Sequence, residues 1–351
     1  MSLHEAIRAV ATDRAQRPIR CELQVDGVAE ISASFRRITL RGPGLAAYTD
    51  PLPADAFRLS PSIPAPRTRA TGDQTAADPA AGDRVARVGV ARAGVAGVGV
   101  AGIGVAGDEA VPARVAGVVL SRAFTVRTFD LAAERLTFDA FAHGAGLVDH
   151  WLRGLGPGAG VTIVGMRVEF APLAVSAATP DPLLLVADGS GLPAAAAILA
   201  ALPAGHPALA VLGGVAEPDR ALVPARSGHR IRWVRRDALP EAVRTLPRLG
   251  AAAVAWVAAE AAQVRIIRRH LVELHGVPRP QVRASAYWKA GVTMDDLHLT
   301  PDSDVTADLD VTADLDVTAD LDAAAEHRRA EDTAPSRAEW DPEALEEIAL
   351  P

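Results

Sequence analysis

Two short runs near the middle of the chain hold residue types that could grip a flat ligand carrying phosphate. The first is Arg122-x-Phe124-Thr125-x-Arg127, and the second is His143-Gly144-Ala145-Gly146 running into Leu147 and Val148. A guanidinium presents a planar fork of donors that matches phosphate oxygens, and an aromatic ring offers a face to a heterocycle. A glycine turn that opens a helix aims free backbone N–H groups at whatever lies beyond it, which suits a phosphate. Neither run is decisive alone, because an Arg beside a core Phe is ordinary and a G-x-G is common. Their order, with about two strands between them, makes both candidates.

Stepping outward, the runs sit in a strand-rich first half. Phe124 to Phe129 and Leu136 to Ala142 read as antiparallel strands joined by the polar turn Asp130 to Arg135, and Leu147 to Leu155 reads as a short helix. Upstream, CELQVDGV, SFRRITLRGPG and AFRLSPS are short strands separated by turn residues, which predicts a β-barrel or sandwich and not a parallel sheet. The second half changes rhythm. LLLVADGSGLPAAAAILAAL is a strand, a glycine turn and a helix, and ALAVLGGV, IRWVRR, AVAWVAAE and VRASAYWKAG are further strands. Strands alternating with helices at this spacing predict a parallel sheet with crossovers. The expected fold is therefore β-barrel plus α/β. Its divisions are a lead-in at 1–19, a barrel domain at 20–178 with a low-complexity insert at 61–117, an α/β domain at 179–300 and an acidic tail at 301–351.

Composition bounds the function. The length of 351 residues suits two domains, and the single cysteine, Cys21, excludes an intrachain disulfide framework and fits a reducing compartment. The net charge of −7 is uneven: 16 acidic and 3 basic residues follow Thr300, so residues 1–300 hold 27 acidic against 33 basic. A body of net +6 suits small anionic ligands, but its cations are too dispersed for nucleic acid. The charged start MSLHEAIRAVATDRAQRPIR has no apolar segment of a signal peptide, and no glycine-poor run of about 18 apolar residues is present, so a cytoplasmic protein without membrane insertion is expected.

Several patterns carry no chemistry. Gly97-x-Gly99-x-x-Gly102 matches a dinucleotide fingerprint but lies in a five-residue repeat with no strand before it and no helix after it. The repeat Asp304-Val-Thr-Ala-Asp-Leu, given three times, lacks the glycine and terminal Glu of a calcium loop. His206 and His229 lack metal-ligand spacing, and no metal site is expected.

The joint order of these pieces resembles a family. Arg-x-Phe-Thr-x-Arg, the strand ending in His143-Gly144, the Gly turn, a helix bearing Trp151, and then Pro157-Gly158 and a strand resemble the FAD-binding barrel of the siderophore-interacting proteins, a branch of the ferredoxin-reductase-like flavoenzymes. The likeness extends to RRITLRGPGL, to Ala187-Asp188-x-x-x-Leu192-Pro193-Ala194, to Trp256-Val-Ala-Ala-Glu260 with Val264-Arg265-x-x-Arg268-Arg269-His270-Leu271, and to Ala286-Tyr287-Trp288-Lys289-x-Gly291. It covers about residues 20–60 and 118–298.

That resemblance implies FAD as cofactor, NADPH or NADH as electron donor, and a ferric siderophore as acceptor, with ferredoxin a further candidate partner. It implies that Arg122 pairs with the flavin pyrophosphate, Phe124 lies against the isoalloxazine and Thr125 bonds near its N5. Arg127 is taken with them, and His143, Gly144, Gly146, Leu147 and Val148 line the ribityl and pyrophosphate path. In the second domain, Asp188, Gly189, Ser190 and Gly191 form a strand-to-helix turn able to approach a nicotinamide dinucleotide. Glu260 follows a strand at the sheet's carboxyl edge, where open α/β folds place ligands. Arg235 is a candidate for a 2′-phosphate and Lys289 for an anionic chelate, while Arg265, Arg268 and Arg269 read as a solvated basic face. No protein nucleophile or dyad is expected, because the chemistry would be centred on the flavin.

The chain departs from the family pattern at Asp149, where a hydroxyl is usual, and at Gly165-Met166-Arg167-Val168. A carboxylate at Asp149 repels a pyrophosphate unless it points away and serves the helix N-terminus. Two other functions fit the same residues: a flavin reductase or electron-transfer flavoprotein with another acceptor, and a non-catalytic binding protein that has lost FAD.

Overall fold

A computed structural model describes residues 1–62, 114–115, 118–119, 121–142, 147–171, 182–224 and 226–291. The first half forms β1 (Arg20–Glu30), β2 (Phe35–Arg41), β3 (Ala56–Pro61), a small hairpin of β4 (Arg114–Val115) and β5 (Val118–Val119), then β6 (Arg122–Asp130), β7 (Arg135–Phe141), helix α2 (Leu147–Gly154) and β8 (Gly160–Arg167). Six of these strands close into the expected antiparallel barrel, in the order β1-β2-β7-β6-β3-β8. The alternation that predicts strands is the alternation that fills it. Leu23 and Val25, Ile38 and Leu40, Phe57 and Leu59, Leu136 and Phe138, and Val161 and Ile163 point inward, and α2 lays Val148, Trp151 and Leu152 on this core. Pro61 belongs to β3, paired with Val161, so the barrel continues into the first position assigned to the insert.

The ladders on the two sides of β6 do not cover the same residues. The β6–β7 ladder runs from Asp130↔Arg135 to Val126↔Phe138 and stops there, whereas β3 pairs with β6 from Arg122 to Thr125. Among the described residues, the first four residues of β6 therefore have a strand partner on one side only. Extended backbone left in this way must satisfy its polar groups elsewhere.

The second half supplies β9 (Leu183–Asp188), α3 (Leu192–Ala201), β10 (Ala208–Gly213), β11 (His229–Val234), α4 (Leu239–Arg244), β12 (Val254–Glu260), α5 (Ala261–Glu273) and β13 (Val282–Trp288). The strands form a parallel sheet in the order β11-β10-β9-β12-β13. β9, β10 and β12 are buried along their whole lengths, because α3 covers one face and α4 and α5 the other. The chain runs outward from β9 to β11, then returns to the other side of β9 with β12, so the order reverses between β9 and β12. Open parallel sheets bind ligands at the carboxyl ends of strands at such a reversal. Among the described residues, no helix is long and apolar enough to cross a membrane.

The lead-in is helix α1 (Leu3–Ala15), started by a capping box in which Ser2 and Glu5 satisfy each other's backbone N–H. It is packed into the fold and does not stand apart. Leu3, Ala6 and Ile7 join the apolar cluster between sheet and barrel, Leu3 N donates to Gln281 Oε1 (2.9 Å), and the His4 ring is 2.8 Å from the Val282 carbonyl. At its other end Arg14 donates to Asp55 (2.7 Å) and to the Met166 carbonyl (3.0 Å). The helix thus fastens β13 to the barrel.

Candidate functional site

β6 packs against α3 of the parallel-sheet half. Where β7 ends, Phe141 stacks on Phe35 at 5.1 Å and lies so close to the β9–α3 turn that a Cβ on Gly189 would sit 3.2 Å from its ring. Thr125, buried on β6, lies beside the Tyr287 hydroxyl of β13. That hydroxyl is itself buried and makes no well-formed hydrogen bond among the described residues. Burial, and then the charge of nearby Glu169, push its phenol above the usual range. The junction therefore holds a strand paired on one side among the described residues and a buried phenol whose polar neighbour is Thr125.

The β9–α3 turn is organised by Asp188, whose carboxylate is buried. One oxygen accepts from Ser190 N (2.8 Å) and Ser190 Oγ (2.5 Å), and the other accepts from the indole N–H of Trp288 (2.6 Å). The Arg236 guanidinium lies over that indole, 5.7 Å from the ring centroid. Gly191 closes the turn against the sheet: a Cβ there would meet the Ala258 carbonyl oxygen at 2.6 Å. Gly191→Ala is expected to cost about 1–3 kcal/mol, because the obstacle is backbone and cannot rotate away. Urea denaturation checks this against Gly189→Ala, where only the Phe141 ring must yield and the loss is smaller.

Residues 180–291 match the family model described as siderophore-interacting protein. That match covers the parallel-sheet half of the chain. Over 178 residues it is 31% identical to the mycobactin import ATP-binding/permease protein IrtA of Mycobacterium tuberculosis, a match covering 49% of this chain and 20% of that protein. The chain thus spans about a fifth of the length of that relative. A siderophore utilization protein from T. fusca is similar in structure, with a TM-score of 0.57 and 25% identity over 79% of this chain and 95% of that one. The siderophore-interacting protein SipS from Aeromonas hydrophila shares the fold, with a TM-score of 0.55 and 21% identity over 80% and 95% of the two chains.

The residues picked out by sequence stand in different positions. Arg122 opens β6 in the stretch paired on one side only among the described residues, and Thr125 faces the sheet. Alternation along β6 turns Phe124 toward the barrel, 4.9 Å from Phe138 and 6.4 Å from Phe57. Arg127 is held by Asp139 at 2.7 Å, a buried carboxylate that also takes two bonds from Arg37. Val148 is buried against the barrel core, and Leu147 begins α2. Asp149, also buried, pairs with Arg153 one turn along α2 at 2.9 Å, which partly neutralises it. His143, Gly144 and Gly146, the glycine repeat and the acidic repeat lie outside the described residues.

In the second domain Asp188, Gly189, Ser190 and Gly191 gather at the reversal point as described. Glu260 stands there too, but its carboxylate is already in use. It caps α5 by accepting from Ala262 N (2.7 Å) and Gln263 N (3.1 Å), and its other oxygen accepts from Ala290 N (3.2 Å). Arg235 is exposed beyond β11 and pairs with Asp237 at 3.0 Å, and Lys289 is exposed just past β13. Arg268 corrects the solvated basic face predicted for α5, since it is buried.

Sequence reasoning missed a cluster of arginines. Arg167 at the end of β8 and Arg283 on β13 meet at the fully buried Glu169, and Arg58 on β3 lies near Arg167. Glu169 pairs with Arg167, lies 3.8 Å from Arg283 and accepts from Ser285 Oγ at 3.5 Å. Arg58 donates to Ser121 Oγ (3.1 Å), and no carboxylate pairs with it among the described residues. Burial, and then the like charge of Arg167, push the Arg58 guanidinium down from its usual value. The strand pattern offered only a weak signal, an Arg in AFRLSP and an Arg-x-Glu after a Gly.

Proposed function

We propose that the chain is an NAD(P)H-dependent FAD oxidoreductase that reduces a ferric siderophore and so releases its iron. The observation that carries this reading is the one-sided pairing of Arg122–Thr125 among the described residues, on a strand that packs against α3 and whose Thr125 lies beside Tyr287 of β13. The residues there fit the flavin in part: Arg122 would hold pyrophosphate, and Thr125 with the buried Tyr287 hydroxyl would offer polar contacts to the ring edge. When bound, FAD accepts a hydride and gives up single electrons to the acceptor. The Asp188–Gly191 turn would admit the nicotinamide dinucleotide, with Trp288 held in place beside it. Arg58 and Lys289 would attract an anionic group of the chelate. The printed names of the relatives, mycobactin import and siderophore utilization, support a siderophore as acceptor; NADH, NADPH and a ferredoxin remain the candidate donors.

The inward Phe124 and the engaged Arg127 favour a second reading, a siderophore-binding protein without flavin. An absorbance spectrum separates the two. A flavin band near 450 nm (about the usual flavoprotein position) that NAD(P)H bleaches, and that a ferric chelate restores, supports the first reading. A colourless protein that does not bind added FAD overturns it.

A further inference from the structure

The arginine cluster at the junction contains its own counter-ion. Glu169 is 0% exposed, whereas the side chains of Arg167 and Arg283 keep 34% and 23% of their surface. The two cations therefore keep part of their surface in solvent while the carboxylate they share has none. Taking a carboxylate fully out of water is costly, and good pairing is what makes it tolerable. Here Arg167 is the close partner, while Arg283 stands at 3.8 Å and Ser285 Oγ at 3.5 Å. The same charge then opposes any anion that approaches the outer side of those guanidinium groups.

We propose that Glu169 is a specificity-determining residue that biases the junction toward neutral ferric chelates over strongly anionic ones. This rests on the reading of the junction as the chelate site. Ferric iron bound by three hydroxamates carries no net charge, whereas three catecholates leave a net negative complex. With Glu169 present, Arg167 and Arg283 together contribute about one net positive charge, and Arg58 adds the remaining cation, so part of the attraction for a highly charged anion is cancelled. Screening by solvent is weak because the opposing charge is buried. A neutral complex feels little of this and is held by shape and by hydrogen bonds from the guanidinium edges.

The test is equilibrium binding of a ferric tris-catecholate and a ferric trihydroxamate to the full chain, followed by quenching of tryptophan fluorescence. Glu169→Gln keeps the shape and the Ser285 bond while removing the charge. The expected result is a gain of about tenfold in affinity for the catecholate complex, steeper in low salt, with the hydroxamate complex changed less than about twofold. Arg283→Gln leaves Glu169 in place and is expected to move catecholate affinity the opposite way, and it keeps the inference testable if the first variant folds poorly. Equal changes for both complexes in the two variants, or no change, would overturn the role of Glu169. Failure of the unaltered chain to bind either complex would instead overturn the chelate-site reading on which it depends.

Discussion

Asp55→Ala is expected to remove about 3–5 kcal/mol of unfolding free energy, one of the two largest losses foreseen for a single substitution in this chain. The Asp55 side chain is fully buried and accepts from Arg14 Nη1 (2.7 Å), the Tyr48 hydroxyl (2.5 Å) and Leu52 N (2.8 Å). Its backbone carbonyl takes the Val126 N–H (2.8 Å), so the same residue anchors β6. Truncation would leave Arg14, only 15% exposed, with carbonyl partners and no carboxylate, and would strand the Tyr48 hydroxyl. Because Arg14 ends the helix that ties β13 to the barrel, the damage reaches the junction. Flavin affinity should therefore fall along with stability, and melting with and without added FAD checks this.

The sign of the pH dependence follows from the same burial. Burial holds the Asp55 carboxyl above its ordinary value of 3.8, although Arg14 and Tyr48 pull the other way. The folded chain then binds this proton more tightly than the unfolded chain. Its stabilising contribution is complete below the ordinary value and is lost as pH rises through the raised one. The stability advantage of the unaltered chain over Asp55→Asn should thus narrow as pH is raised from about 4 to about 7. Urea titrations across that range that show the gap widening would refute the assignment.

The strands were legible in the sequence because each environment leaves its own period. Arg20–Val25 alternates exposed and buried, as a barrel strand must, and Leu183–Asp188 is an unbroken buried run, as a strand covered on both faces must be. The glycine turn after β9 was legible for a comparable reason, since Gly191 admits no side chain against Ala258. What a side chain does within the site was harder to read. The period of two says that Arg122 and Phe124 share a face, but only the closure of the barrel says that this face is the core at Phe124. Glu260 sits at the ligand edge of the sheet and also at the first turn of α5, and spacing alone does not say that the helix takes both bonds of one oxygen. Arg167 and Glu169 come from one segment and Arg283 from another, so their meeting is a property of the tertiary fold.

Asp188→Ala is the second large effect, expected to cost about 2–4 kcal/mol and to depress any nicotinamide-driven reduction at least about tenfold. Both carboxylate oxygens of Asp188 are acceptors, one for the Trp288 indole and the other for two donors of Ser190. Asn cannot substitute, because its amide nitrogen would face either the indole N–H or the Ser190 donors. Asp188→Asn should therefore lose nearly as much as Asp188→Ala, an outcome that a purely steric role would not produce. Trp288→Phe removes the indole donor and the best part of the surface beneath Arg236. If Asp188 acts chiefly by holding Trp288, the double variant Asp188→Ala, Trp288→Phe should cost well under the sum of the single losses, a coupling of about 1–3 kcal/mol. Additive costs in denaturation, together with unchanged near-ultraviolet circular dichroism of the tryptophans in Asp188→Ala, would show that the turn stands without this bond. Coupled costs would tie the geometry of the reversal point to one carboxylate at the end of β9, where the sheet, the barrel edge at Phe141 and the cation at Arg236 come together.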